Sequence, residues 1–540
     1  MFERLKKVVK NWMQTTAADT GIAKEFRDIF EISGVPAFKQ FYNFCIFPAK
    51  WVYKGFYSAW HLIPAPTIAD PRATRRMYFL NLSKAVCSEL AGMVWTDQTD
   101  ITITTNGVNT VDGEVDPLQK FVTAVLKENN FQRKMLESIE QAAALGGEAL
   151  KVWADFKRTE AGVAIPESIR LKIGYCQADQ FVPIAWNNAE ITEAVFISRQ
   201  AKGGYYYTRL EFHRWDGETY YITNELYRSD MYKLGSQEPQ DILGVRIPLA
   251  TIFPLMDEET EIQGIEKSLF SYFRTPTANN VDDNSPLGVS IYANAMETLH
   301  ALDICFDSFV REFRLGKKRI IVPARMVKTI IDPVTGEMRR YFDATDETYE
   351  ALSTDDPDSL KIQDNSIELR VEEHVSAMNA FLNIFCLQIG LSAGTFSFDA
   401  KGGLKTATEV VSENSKTYKT VKNFQDMIKP AVERLVDNII ELGALYDLDV
   451  DGEKISDLRE RGYEVAIAMD DGITQDRQTN INEGITLVGA GLISKKTFLT
   501  DPKYGQCLTE EAADKELMRI SDEQRINSLT IDRLNFDTAE

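Results

Sequence analysis

The residues that could do chemistry are few, and the densest group is the stretch AKGGLKTAT, Ala400 to Thr408. Glycines flanked by lysines at the start of a helical pattern suit a phosphate. Backbone N–H groups at a helix N-terminus can face an anion while Lys401 and Lys405 supply charge. A nucleotide-hydrolysing P-loop asks for more, namely G-x-x-x-x-G-K-[ST] directly after a strand. Here Leu404 separates Gly403 from Lys405, the earlier glycine is missing, and the preceding element reads as a helix. The stretch is therefore either a plain connector or a loop that meets phosphates transiently.

Other chemical patterns are weaker. DLDVDG, Asp447 to Gly452, imitates the start of an EF-hand, but its twelfth position is Leu458 where a bidentate Glu is needed. It reads as an acidic turn that ends a helix. LVGAGLISKKTFL, from Leu487 to Leu499, has the outline of a helix-turn-helix, with Lys495 and Lys496 as its only cations. A small packing module fits it better than a sequence reader. His61, His213, His300 and His374 stand far apart, without H-E-x-x-H or similar spacing. Cys45, Cys87, Cys176, Cys305, Cys386 and Cys507 occur singly, so they are expected to be reduced and mostly core. No enzyme signature and no cofactor motif emerges.

The elements that must hold these residues follow from periodicity. Residues 1 to about 165 read mainly as helix. From about Arg170 to Phe253, runs rich in Tyr, Phe, Ile and Val are punctuated by Asn187-Asn188, Gly203-Gly204 and Asp216-Gly217, which predicts an antiparallel meander. Apolar residues at Val289, Tyr292, Met296, Leu299, Leu302, Phe306, Phe309 and Phe313 predict a helix from Val289 to Leu315. A β-like insert follows, turning at Pro333 to Gly336. A second helix is expected from Val371 to Ile389, and a third from Lys405 to Tyr446, kinked at Pro430. At roughly 60 Å the third is long for a globular domain and needs bundle or self-contacts. The tail from Asn482 is helical, with Ser494 and Thr509 as N-caps. The fold class is α+β.

Charge narrows the partners. The 540 residues carry 60 Lys+Arg and 81 Asp+Glu, a net −21. A chain this acidic does not grip nucleic acid over its whole surface, because grip comes from neutralising phosphates. It can meet DNA through local basic patches or let DNA slide past. The insert is lopsided: Gly316 to Thr345 holds seven Lys/Arg and three Asp/Glu, and Ala344 to Glu373 holds two and ten. The N-terminal MFERLKKVVKNW lacks a secretory h-region, and Phe41 to Trp60 is broken by Pro48, Lys50 and Lys54, too short a run to cross a membrane. That aromatic stretch is expected as an exposed arm that clasps a neighbour.

The order of parts, together with NLSKAVCSELAGMVW, ALGGEALKVWAD, ADQFVPIAW, ALDICFDSFVREFRLGKKRIIVP, GTFSFDAKGGLKTATEVVSENSKTYKTVKNFQ and GLISKKTFL, resembles the portal (head-tail connector) proteins of tailed bacteriophages. The nearest likeness is to the type found in long-tailed phages of Gram-positive bacteria. The resemblance implies a portal fold assembled as a ring, usually of twelve copies, at one vertex of the capsid. It implies a wing over residues 1–273 with 449–480 returning to it, stem helices at 285–316 and 371–391, and a clip at 317–370. A tunnel loop would occupy 392–404, the helix behind the channel 405–447 and the crown 482–524; residues 525–540 match no motif and are expected to be a disordered tail.

By the same resemblance, Phe396, Phe398, Lys401, Gly402, Gly403 and Lys405 would line the DNA channel. Lys317, Lys318, Arg319, Arg325, Lys328, Arg339 and Arg340 would make clip contacts, and Leu299, Phe306, Phe309, Phe313, Leu382 and Phe385 would pack the stem. Implied partners are further copies of the chain, double-stranded DNA held without sequence preference, the large terminase subunit, a head-tail adaptor, and the major capsid and scaffolding proteins. No cofactor and no membrane are implied; the location would be the virion, after assembly in the host cytoplasm. Two rival readings remain open: another oligomeric head-completion or tail component, and a nucleotide-driven DNA enzyme.

Overall fold

The computed structural model of the chain describes residue 41 onward, apart from 67–69, 107–114, 158–167, 189, 231–242, 255, 283–284, 317–318, 324–328, 332–337, 341–348, 353–362, 366–367, 399–406, 470–476, 502–503, 505–512 and 522–540. Within 43–44, 317–367, 407–414 and 477–480 it describes backbone alone. The chain divides into two compact units, residues 1–400 with 419–470, and residues 401–418 with 471–540.

The aromatic arm is a correction. Phe41, Tyr42, Ile46, Ala49, Val52 and Tyr57 are buried in the chain's own core. A π-helical turn, Tyr42–Ile46, runs into helix α1, Phe47–Tyr53. The Tyr42 hydroxyl donates to the Phe181 carbonyl, Lys50 Nζ donates to Gln177 and Asp179, and the Tyr292 hydroxyl donates to the Ala49 carbonyl. Polar atoms of the arm thus find partners inside the unit, and each large apolar side chain gains roughly 2 kcal/mol by leaving water.

A two-stranded ribbon, β1 (Leu62–Pro64) and β2 (Thr74–Arg76), precedes helix α2, Leu82–Val94. Strand β3, Asp100–Thr105, leads to helices α3, Pro117–Glu128, and α4, Phe131–Leu145. Asp116 caps α3 by accepting from Leu118 N–H, and its carboxylate also takes the backbone N–H and hydroxyl of Thr105. One side chain therefore fixes both the helix start and the strand end. The helical reading of residues 1–165 misses the β1–β2 ribbon, β3 and also β4, Gly147–Asp155, which follows α4 at once. Gly146 makes that turn at φ +103°, and a Cβ there would lie 2.3 Å from the Gly288 carbonyl oxygen. Two backbones cross at contact distance, which only paired glycines allow.

Strand β4 sits between β5 (Arg170–Gln177) and β12 (Phe270–Arg274), antiparallel to both. The expected meander is present as β6 (Phe181–Asn187), β7 (Glu190–Lys202), β8 (Tyr205–Asp216), β9 (Thr219–Asp230) and β10 (Val245–Ile247), with β11 (Glu259–Ile262) also on β9. Its hairpins fall at the predicted dipeptides. Asn188, Gly203, Gly204 and Gly217 all have positive φ, as tight hairpin turns demand.

A buried charge network ties β4 to β8. Lys151 Nζ donates to both Glu211 oxygens at 2.7 Å, and Arg209 Nη2 reaches Glu211 Oε2 at 2.8 Å. His213 Nε2 lies 2.9 Å from Glu211 Oε1, and the Tyr220 hydroxyl 2.7 Å from His213 Nδ1. Burial opposes the Glu211 charge, but Lys151 leads the groups that outweigh it and hold the carboxyl well below its usual range. Burial lowers His213, so the ring is neutral.

The first long helix, α5, spans Met296–Leu315 and starts seven residues later than expected. Val289 and Tyr292 are buried, but their segment is bonded elsewhere: Val289 accepts from the Thr275 hydroxyl and Ile291 N–H donates to Ala143. The insert contains β13 (Arg319–Pro323), flanked by β16 (Tyr349–Leu352, parallel) and β17 (Gln363–Asn365, antiparallel), and a ribbon of β14 (Thr329–Ile331) with β15 (Met338–Arg340). The expected turn at Pro333–Gly336 lies outside the described residues. Helix α6 spans Val371–Ile389, and α7, Ala407–Leu445, continues as one helix through Pro430.

A hairpin of β18 (Asp449–Val450) and β19 (Glu453–Lys454) and helix α8 (Ile455–Glu460) follow, and then β20, Tyr463–Ala468, pairs with β3. That pairing returns this late segment to the N-terminal part. In the second unit, α9 (Arg477–Gly489) and α10 (Lys495–Thr500) flank a turn, and Ser494 Oγ caps α10 by accepting from Thr497 N–H. Residues 513–521 are helical, and Thr509 lies outside the described residues.

Candidate channel loop and docking surfaces

The candidate site begins where α6 ends. Gly390 takes φ +84°, its N–H and that of Leu391 both bond to the Cys386 carbonyl, and its own carbonyl accepts from the Thr420 hydroxyl at 2.6 Å. Leu391 and Ser392 are buried. The chain turns at Gly394, whose N–H donates to Asn383 Oδ1, and Phe398 N–H donates to Asn379 Oδ1. Phe396 packs against the core and Phe398 is 48% exposed, so the two predicted channel aromatics face different surroundings. Lys401, Gly402, Gly403 and Lys405 lie outside the described residues.

Beneath the loop, Leu382 and Phe385 of α6 join Val421, Phe424 and Ile428 of α7 in one buried cluster. On α5, Leu299 is buried, Phe306 and Phe309 are half-buried, and Phe313 is 46% exposed. The predicted packing stripe therefore thins toward the helix C-terminus. There, aromatic contacts replace burial: Phe309 meets Phe313 edge-on at 5.0 Å and His374 of α6 at 5.6 Å. Arg370 clasps Glu312 with two nitrogens at 3.1 and 2.8 Å, and this bond holds the Glu312 carboxyl below its usual range.

Two carboxylates of α5 escaped the sequence reading. Asp307 accepts both Arg75 guanidinium nitrogens and the Tyr78 N–H; Asp303 accepts the Leu80 N–H and lies 3.0 Å from His61 Nε2. Four residues apart, they strap the ribbon segment to one face of α5. Their signal in the sequence is their four-residue spacing along α5. Asn379 and Asn383 show the same spacing on α6.

Of the predicted clip residues, Arg319 opens β13 opposite Asn365, and Arg339 and Arg340 pair in β15 opposite Ile330 and Thr329. Lys317, Lys318, Arg325 and Lys328 lie outside the described residues. The acidic turn does not gather its carboxylates: Asp447 is taken by Lys454 at 2.9 and 2.7 Å, and Asp451 by Lys120 at 2.7 Å. Among the described residues no three His, Cys, Asp or Glu side chains converge, and no helix is long and apolar enough to cross a membrane. Among the described residues, Cys45, Cys87, Cys176 and Cys305 are free thiols.

No curated protein matches the chain. The family described as phage portal protein, SPP1 Gp6-like, matches residues 50–525 of the 540. That span takes in the buried arm from Lys50 on, the sheet around β4 and the β6–β10 meander, the insert, the helix–loop–helix at Gly390 and the helical turn at Ser494, and so the chain belongs to the portal protein family of tailed bacteriophages.

Proposed function

We propose that this chain assembles as a ring around a DNA channel at the unique capsid vertex, most often in twelve copies. Terminase drives double-stranded DNA inward through the channel, and the genome later leaves through it into the tail. In this reading Ser392–Leu404 narrows the channel, α5 and α6 form the stem, and the insert at 317–370 is the clip that receives terminase and then the adaptor. The β sheets, with β20 returning to β3, belong to the wing, and the helices after Asn482 to the crown. The chain does no catalysis of its own.

The observation that carries the reading is the family match over residues 50–525, with the loop lying between α6 and α7 inside it. Net charge supports it: a wall of a chain at −21 repels phosphates and does not trap moving DNA. The basic and acidic halves of the insert support a head-to-tail attraction between neighbouring clips.

Electron-microscope images of the purified chain should show rings with a central hole. Deleting Phe396–Gly403 should leave those rings intact and reduce DNA packaging or retention. Full packaging after that deletion would reduce the loop to a connector, and robust ATP turnover by the purified chain would overturn the reading.

A further inference from the structure

We infer that Asn379 and Asn383 are positioning residues for the channel loop, holding residues 394–398 folded back along α6. The inference rests on the reading of this loop as the channel constriction. The two asparagines stand four residues apart, hence on one face of the helix, and each accepts a backbone N–H from the loop: Asn383 Oδ1 from Gly394 at 3.0 Å, Asn379 Oδ1 from Phe398 at 2.9 Å. Phe398 is thereby tied to a residue about three turns before the helix end. The loop does not simply extend beyond α6; its first part returns alongside it.

The return path is held unevenly. Its root is fixed by the buried Leu391 and Ser392 and by the Gly390–Thr420 hydrogen bond, and Phe396 packs inward. Its far part, carrying the exposed Phe398, is tied to α6 through the two asparagines. From Val375 to Ile389 α6 has no charged side chain, so no cation or carboxylate of this helix stretch competes for the loop backbone. A neutral hydrogen bond in a partly exposed place shifts an equilibrium by about two- to tenfold, so two together favour the docked position by roughly four- to a hundredfold. That range keeps the loop docked at rest yet leaves a released state that contact with DNA can select. The asparagines thus set where Phe398 waits and how readily it moves.

The test is hydrogen exchange in the full-length chain, read at the Gly394 and Phe398 amides, with three versions of the protein. The pair Asn379→Leu and Asn383→Leu should speed exchange at both amides at least fourfold and leave Leu391 unchanged. The pair Asn379→Asp and Asn383→Asp keeps an acceptor at each place and should retain protection. Equal exchange in all three versions would show that the asparagines hold nothing. Packaging by particles carrying the leucine pair is the second readout, and it should change while ring images stay normal. Altered exchange with unaltered packaging would overturn the positioning role while the latch stands, whereas absent rings would count against the portal reading itself.

Discussion

Replacing Lys151 by Met removes one member of the buried network between β4 and β8 and keeps the volume of the side chain. Glu211 then remains buried, with Arg209 at 2.8 Å and His213 at 2.9 Å as its only strong partners in the network. Breaking a buried pair by deleting one partner costs about 3–5 kcal/mol, and the surviving Arg209 contact places the expected loss near the lower end, about 3 kcal/mol at pH 7. Adding Glu211→Gln should recover at least about 1 kcal/mol, because the orphaned charge goes with it.

The pH dependence follows from the signs. Glu211 is held below, and His213 is lowered from, their ordinary values, so each contributes stability that is present above its unfolded pKa and lost as pH falls. The wild-type chain should weaken first below about pH 6.5, where unfolded histidine gains a proton, and further below about pH 4.3, where unfolded glutamate does. In Lys151→Met the Glu211 carboxyl rises, so the penalty of the mutation should shrink between pH 7 and pH 4. Urea unfolding at several pH values, followed by the fluorescence of Trp153 and Trp215 beside the network, measures all three quantities. A penalty that is constant with pH, or a double variant as weak as the two single losses added, would refute the reasoning.

Three further outcomes are expected. Gly146→Ala puts a methyl group 2.3 Å from the Gly288 carbonyl at a φ that favours glycine, so it should cost at least about 3 kcal/mol and show as lost soluble yield; normal yield would mean that the backbone crossing can relax. Asp307→Ala frees Arg75 and the Tyr78 N–H, and because Arg75 is partly exposed and can rehydrate, the loss should stay near 2 kcal/mol, with faster proteolysis between Leu62 and Arg76 as the readout. Reversing Lys317, Lys318 and Arg319 to Glu removes the basic half of the clip and should impair ring assembly in electron-microscope images; unchanged rings would rule out charge pairing between neighbouring inserts.

Much of the architecture was legible in the residues because its signals are local. The hairpins sit at Asn188, Gly203-Gly204 and Gly217 since positive φ is a property of those residues themselves, and α6 begins and ends as its apolar spacing predicts. The family likeness was legible too, because it depends on the order of parts along the chain. Periodicity failed where two structures suit the same spacing. Val289 and Tyr292 continue the apolar stripe of α5, but the backbone of Val289 and Ile291 is bonded to Thr275 and Ala143, and the helix begins only at Met296.

The sequence by itself determined that this chain is acidic, α+β and built around long striped helices with a glycine-bearing loop between two of them. It could not say that Phe41, Tyr42, Ile46 and Tyr57 are core, because an apolar run looks the same whether it is covered by its own chain or by another. Tertiary structure decided that by bringing Phe181, Gln177 and Asp179 to it from more than a hundred residues away. It decided equally that Asn379 and Asn383, unremarkable polar residues on a helix, receive the backbone of the loop, since a hydrogen bond between residues eleven or nineteen apart exists only once the chain has turned back.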